Sequence, residues 1–469
     1  MDSTITLPYW VFILITVFAA VMVLDRVLLP GMRWYFKRRV NRVIEEINTR
    51  LDIEIRPFQR TRKQAIIDQL VFDDKVIDAI KEYAAEHNMP SEVAHAKAMK
   101  YATEIAPTFN AYIYFRVGYW LAKKIGRLLY RVRVGFYDHD GLKNIPQGSS
   151  VVFVMNHRSN MDYILVSFLV AEKTTLSYAV GEWARIWPLQ SLIKAMGAFF
   201  VRRNSGNALY RRVLERYINL ATRAGVCQAV FLEGGLTKDG AMRSPRLGFL
   251  DYMLRDYHPE VDNDIVFVPV GINYDRVVED KSLVRRLDEN AVSRSKWFVI
   301  KTSVGFFFKT LFMKRNKRWS RFGYASVNFG KPVSAKEYCR DTDTDFSQMK
   351  SETRFESVEK LANALSDEIK NVLPVLPIAL MSEIVLANQS AWKSELELKA
   401  YAIKRISELE KLGAPINISA GACDGVLSAA INMLIGRDFV REDGGLYKAD
   451  EVSIDILSYY ANSIAHWKA

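Results

Sequence analysis

The chain has 469 residues, 49% apolar and 25% charged, with a net charge of +12 at pH 7. That length accommodates two or three domains with a substantial core, and that balance excludes an intrinsically disordered or fibrous chain. Cys227, Cys339 and Cys423 lie far apart with no C-x-x-C spacing, which argues against a structural zinc site and for free thiols in a reducing compartment.

Residues 7–24, "LPYWVFILITVFAAVMVL", carry no charge, a length at the lower edge of what spans a bilayer. No basic residue precedes this run, no small-residue cleavage site follows it, and Arg26, Arg33, Lys37, Arg38, Arg39 and Arg42 come after it. The expectation is a membrane anchor (residues 1–30) rather than a cleaved signal, with the remainder on the cytoplasmic face of the cell membrane. A helix lying in the interface fits the same length.

Residues 31–130 read as a helical region. The stretch "VIDAIKEYAAEHNMPSEVAHAKAMKYATEI" has helical spacing, broken at Asn88 and Pro90, with Ser91 as the expected N-cap. Residues 111–134 form a basic, aromatic amphipathic segment suited to a membrane interface. From 131 to 333, strands are expected at 131–137, 150–155, 176–180, 198–202, 228–232, 265–270 and 324–329. Helices fall between several of them, such as 208–225, closed by Gly225. This alternation predicts an α/β sheet covered by helices. Residues 334–469 read as a mostly helical carboxyl-terminal domain with a small β excursion turning at Gly444 and Gly445.

Residues 281–321 hold twelve Lys/Arg against two acidic residues. The aromatic-and-lysine run "WFVIKTSVGFFFKTLFMKR" inside this stretch suits a helix on anionic lipid or a core helix with a basic edge. No recognised module supports a nucleic-acid partner.

In an open α/β sheet, ligands collect at the carboxyl ends of strands, and four such ends carry unusual residues. In "NHRSNMD", His157 and Asp162 stand five apart, a spacing that lets them meet only across a turn. Asn156, Ser159 and Asn160 are turn and cap formers that would allow it, leaving one imidazole nitrogen free as a base. In "GAFFVRR", Arg202 and Arg203 end an apolar strand and have forks that match phosphate. In "VFLEGGLTKDG", Glu233 is followed by Gly234 and Gly235, with Lys238 available to an anion. In "VFVPVGINYD", Pro269 is expected to mark a strand end or edge. Each signal alone is weak, and no G-x-S-x-G elbow supplies a nucleophilic serine.

Their order is specific. H-x4-D, G-x-x-F-V-R-R, F-x-E-G-G and a V-P strand, within about 120 residues, resemble the four blocks of the membrane-bound glycerolipid acyltransferases. "GYASVNFGKP" and the terminal "LSYYANSIAHW" are similar to the glycerol-3-phosphate and dihydroxyacetone-phosphate acyltransferase branch. The resemblance implies an acyltransferase-type α/β fold in which His157 is the general base and Asp162 its orienting partner. It implies that Arg158, Arg202, Arg203, Glu233 and Gly234 serve the phosphorylated acceptor, with Pro269 on the acyl-donor side; Lys238 is a further candidate for the acceptor, from its place on the third-block loop rather than from the resemblance. Helix-start or glycine amides would stabilise the oxyanion. Acyl carrier protein or coenzyme A would carry the acyl group, membrane lipids would be neighbours, and no metal or redox cofactor is implied. One departure stands out: where the family's third block reads Glu-Gly-x-Arg-Ser-Arg, Leu236 replaces the first arginine and Lys238 the second. Compensation by Lys238 or Arg243, a different acceptor such as lysophosphatidate or dihydroxyacetone phosphate, and an inactive lipid-binding scaffold all remain open from sequence.

Overall fold

The computed structural model describes residues 56–137, 144–171, 174–181, 189–202, 205–287, 322–418 and 423–468, together with Pro8, Tyr9, Thr16 and Gly141. The chain divides into the units Met1–Glu54 and Ile55–Ala469; everything below concerns the second. Most of the expected anchor at 7–24 and most of the basic stretch 281–321 lie outside the described residues. Among the described residues no helix is long and apolar enough to cross a membrane.

After a single helical turn at Pro57–Arg60 come α1 (Lys63–Val71), α2 (Asp74–Glu86) and α3 (Ser91–Ile105). The break between α2 and α3 falls where Asn88 takes a positive φ of 47°. Ser91 is the first helical residue and Pro90 holds the cap position, one residue from expectation. A π-helical turn (Ile113–Gly118) runs into α4 (Tyr119–Leu129). The strands β1 (Arg131–Tyr137) and β2 (Ser150–Met155) follow, then α5 (Met161–Val170), β3 (Ser177–Gly181), α6 (Leu189–Ala195), β4 (Phe199–Val201), α7 (Ala208–Arg223), β5 (Gln228–Phe231), α8 (Gly248–Leu254) and β6 (Ile265–Tyr274). Next come α9 (Asp280–Val284), β7 (Tyr324–Phe329), β8 (Val333–Ser334), α10 (Ala335–Asp341), α11 (Ser351–Asn371) and α12 (Pro377–Ala387). The chain ends with β9 (Lys393–Ser394), α13 (Glu395–Lys411), α14 (Cys423–Ile435), β10 (Val440–Asp443), β11 (Leu446–Ala449) and α15 (Ile454–Ala461).

The main sheet has the order β1-β7-β6-β2-β5-β3-β4, with β8 beside β6. Pairing is parallel except where β6 meets β7 and β8. Strands β2 to β6 therefore point the same way, and their carboxyl ends share one edge. β2 sits between β5 and β6, every residue buried, which is why it reads as an unbroken apolar run rather than an alternation. On one face, Val152 and Val154 of β2 join a core with Leu209 and Val213 of α7, Leu250 of α8, and Leu361 and Leu365 of α11. On the other, Gly126 of α4 lets Phe168 and Leu165 of α5 come close.

Pro269 corrects the expectation that it ends or edges its strand. β6 runs on to Tyr274, with Pro269 paired to Val154 of β2. Its missing N–H faces the other side of β6, where the strand passes from pairing with β8 at Val266 and Phe267 to pairing with β7 from Val270 onward. No ladder donor is needed at that junction, and the Pro269 carbonyl still accepts from the Gly330 amide at 2.8 Å.

The carboxyl-terminal helices seat against this same region. Asn273 Nδ2 donates to the Pro374 carbonyl and Asn328 Nδ2 to that of Val372, both at 2.9 Å. The expected β excursion is a hairpin, β10 antiparallel to β11, with Asp443 opposite Leu446. Its two-residue loop places Gly444 and Gly445 at φ 57° and 80°, the left-handed pair that such a tight turn requires.

Candidate active site

The site grows out of the end of β2. Beyond Met155, the Asn156 side chain imitates a strand residue: its Nδ2 donates to the Ile272 carbonyl at 2.9 Å and its Oδ1 accepts from the Ile272 amide at 2.8 Å. This fixes the point from which the chain turns. Asp162 lies in the first turn of α5, where the helix dipole favours a carboxylate. Its Oδ2 accepts from the amides of Arg158 and Ser159 at 2.8 and 3.0 Å and from His157 Nδ1 at 2.9 Å. The expected meeting across a turn is thus made, with His157 only 2% exposed and Asp162 fully buried. Because an ionised carboxylate only accepts, Nδ1 carries the imidazole proton and Nε2 is the basic nitrogen. Nothing among the described residues hydrogen-bonds Nε2. The ring is held by stacking on Phe231, centroids 3.9 Å apart, and by the edge of Tyr163.

Glu233, at the end of β5, lies behind the histidine. Its Oε1 accepts from the His157 amide at 2.8 Å and its Oε2 from the Arg243 amide at 3.0 Å. Burial pushes the carboxyl up to about 7, while those two bonds and nearby Arg158 pull the other way. The loop returns the tie: the Thr237 amide donates to the His157 carbonyl at 3.0 Å. In this structure Glu233 therefore braces the backbone of both loops. Gly234, at φ 66°, leaves room for the Arg246 side chain, which a Cβ there would meet at 2.8 Å. Lys238, Arg243 and Arg246 are exposed along the same loop.

Arg158 is 2% exposed. Its Nη1 donates to the Gly240 carbonyl at 2.6 Å, its guanidinium sits 4.9 Å from the centre of the Tyr459 ring, and its Nε and Nη2 have no hydrogen-bond partner among the described residues. Arg202 follows β4 with its fork on Glu104 of α3, Nε to Oε1 at 2.9 Å and Nη2 to Oε2 at 2.7 Å, between the rings of Tyr101 and Tyr210. That carboxylate raises the Arg202 guanidinium above its usual range. Arg203 lies outside the described residues. Pro269 sits within β6, beside Val154 of β2.

Three groups at this edge were not expected from the sequence. The Tyr274 hydroxyl donates to Asp162 Oδ1 at 2.6 Å. Glu279 accepts from the Ser159 hydroxyl at 2.7 Å and from Asn160 Nδ2 at 3.0 Å, bracing the turn before α5; burial raises its carboxyl. Asp275 accepts from the Tyr324 amide at 2.8 Å and the Ile378 amide at 3.1 Å, and burial pushes it up to about 6. All three lie in "NYDRVVE", beyond the point where Pro269 suggested that the strand stops. Continuing the strand to Tyr274 would have placed the tyrosine and Asp275 at the ligand edge.

Two family patterns match the chain. The acyltransferase pattern covers residues 137–273, which include His157, Asp162, Arg202, Glu233 and Pro269. The pattern of the glycerol-3-phosphate acyltransferase C-terminal region covers residues 307–469. The chain thus carries the acyltransferase pattern followed by the pattern of that C-terminal region. A curated relative, glycerol-3-phosphate acyltransferase of Ectopseudomonas mendocina (strain ymp), is 27% identical over 424 residues, 87% of this chain and 49% of that one. The enzyme of the same name from Pseudomonas aeruginosa (strain LESB58) is 26% identical over 442 residues, 92% of this chain and 51% of that one. The chain thus spans about half the length of the curated relatives it matches. The solved structure of the 1-acyl-sn-glycerophosphate acyltransferase from Thermotoga maritima aligns with 54% of this chain and 78% of its own, at 18% identity and a TM-score of 0.30, a likeness too slight to build on.

Proposed function

We propose that this chain transfers a fatty acyl group from an acyl thioester, carried by acyl carrier protein or coenzyme A, to the sn-1 hydroxyl of glycerol 3-phosphate, giving lysophosphatidate. The observation that carries the reading is His157, held through Nδ1 by Asp162 at the end of the central strand with Nε2 unbonded, in a chain with both family regions. Nε2 takes the proton of the acceptor hydroxyl as its oxygen attacks the thioester carbonyl. The tetrahedral intermediate then collapses, the C–S bond breaks, and the imidazolium returns the proton to the thiolate. The helix-start amides of Arg158 and Ser159 are committed to Asp162, so the oxyanion falls to the amides of the loop after Glu233.

The acceptor's phosphate is the less constrained part, since Leu236 and Lys238 replace two arginines and Arg202 is engaged by Glu104. Lys238, Arg243 and Arg246, exposed on the third-block loop, are the cations available to it. Glycerol 3-phosphate, dihydroxyacetone phosphate and lysophosphatidate, each offered with labelled acyl carrier protein and coenzyme A thioesters, should give the fastest transfer with glycerol 3-phosphate. A preference of tenfold or more for another acceptor would replace the substrate while leaving the chemistry in place. Absence of transfer in all six combinations would favour the scaffold reading.

The site is proposed to work at the cytoplasmic face of a membrane. Residues 105–137 contain six Lys/Arg and no acidic residue. Across the π-turn and α4, Tyr112, Arg116, Val117, Trp120, Lys124 and Arg127 form an exposed stripe, with Trp120 55% exposed, opposite the buried Tyr114, Gly118, Ala122 and Gly126. An aromatic and basic stripe suits an anionic headgroup layer. The full chain should co-sediment with anionic vesicles, and Trp120→Ala combined with Lys124→Glu should lower the bound fraction severalfold. Unchanged sedimentation would remove this surface from consideration.

A further inference from the structure

Asp162 is fully buried, and both its oxygens are in use. Oδ2 faces the histidine and two backbone amides, whereas Oδ1 receives the hydroxyl of Tyr274 at 2.6 Å. The tyrosine reaches the carboxylate because β6 outruns its neighbour. β2 ends at Met155, opposite Val270, while β6 continues four residues along β7 to put Tyr274 opposite Ala325. Tyr274 is fully buried, its ring 5.2 Å from that of Tyr130, whose own hydroxyl donates to the Arg276 carbonyl at 2.7 Å. The Tyr130 ring thus backs the phenol, whose O–H is directed at the one carboxylate oxygen that the turn leaves uncovered.

A carboxylate gripped on Oδ2 alone retains freedom to rotate about its Cβ–Cγ bond, and its uncovered oxygen would be a buried acceptor without a donor. A donor on Oδ1 removes both problems. It fixes the plane in which Oδ2 meets Nδ1, and it draws charge from the carboxylate so that the bond to the histidine is moderated. We propose that Tyr274 is a positioning residue of the His157–Asp162 unit, acting on the base through the far oxygen of its carboxylate. This rests on the acyltransferase reading for its kinetic consequence, but not for its structural one.

The test uses the full chain with Tyr274→Phe, which removes the hydroxyl and keeps the ring. Tyr130→Phe is the control, deleting an equally buried hydroxyl in the same cluster that does not contact Asp162. Two quantities are read: kcat and KM for acceptor and thioester, and the Nδ1–H proton resonance of His157 in protein labelled with nitrogen-15 histidine, identified by its loss in His157→Gln. Tyr274→Phe should lower kcat on the order of tenfold with KM within about twofold, and should move the Nδ1–H resonance downfield as the carboxylate becomes a stronger acceptor. Tyr130→Phe should leave both near the wild-type values. An unmoved resonance in Tyr274→Phe, or equal effects from the two variants, would overturn the proposal. If the wild-type chain transfers no acyl group to any acceptor, the proposed function fails by itself, and the resonance still decides the role of Tyr274.

Discussion

Replacing His157 by alanine is expected to lower kcat by about 10²–10⁴-fold, the range that a positioned general base contributes. The expectation follows from the geometry of a single ring. Nδ1 is bonded to Asp162 and the imidazole is stacked on Phe231, so Nε2 is aimed by contacts on two sides and is the basic atom. Asp162→Asn should be comparably severe, up to about 10⁴-fold by analogy with other carboxylate–histidine units. The amide would offer either a donor to Nδ1, forcing the wrong tautomer, or a neutral oxygen that no longer stabilises the imidazolium. It would also weaken the hydrogen bonds from Arg158 and Ser159, which now end on a charge. Single-turnover transfer with saturating thioester, alongside thermal melts to confirm folding, reads both variants. Transfer retained in His157→Ala would sink the mechanism.

Much of this site is visible in the sequence because it is local. A continuous apolar run, then Asn, Ser and Asn around a histidine and an aspartate, prescribes strand, turn and helix start, and the turn closes as the spacing demands. Gly225 likewise stands just past the end of α7 at φ 70°, and its neighbour Val226 donates back to the Ala221 carbonyl, a helix stop that composition alone suggests. What the sequence conceals is partnership across long separations. Nothing local indicates that the Arg202 fork meets Glu104, or that Arg158 lies beneath Tyr459, 301 positions downstream. Charged side chains at strand ends look equally suited to a ligand or to another element of the same protein. Pro269 misled for a different reason: a missing N–H matters only where a neighbour would have accepted it, and β6 changes partners at that residue.

The altered third block separates into two parts on the same grounds. Glu233 serves the backbone of the histidine turn and of its own loop, so the architectural half of the motif survives the change at Leu236 and Lys238. Only the half proposed to face an anion is altered. A chain that kept the brace while changing the anion contacts would be expected to retain the chemistry and shift its preference among acceptors, which is why the acceptor comparison is informative whatever its ranking.

Gly240→Ala is expected to be the most damaging substitution outside the His157–Asp162 pair. Gly240 adopts φ 85°, a conformation that costs an L-residue about 1–2 kcal/mol, and a Cβ there would land on the Tyr459 carbonyl oxygen. The obstacle is backbone, so relief requires α15 to move away from the loop. That contact does not stand alone. Asn462 Nδ2 donates to the Asp239 carbonyl at 2.9 Å, the Tyr460 hydroxyl accepts from the Val277 amide at 3.2 Å, and Arg158 reaches the Gly240 carbonyl from beneath. Separating α15 would also take the Tyr459 ring from the buried Arg158, a cation–π contact worth about 2 kcal/mol when desolvated. The thermal midpoint should therefore fall by many degrees, with transfer activity lost in proportion to the folded fraction or faster. Gly206→Ala, at an open position where a Cβ meets nothing, should leave both unchanged. Equal melting of the two variants would show that the carboxyl-terminal helix gives way easily, and that the histidine turn keeps its shape without it.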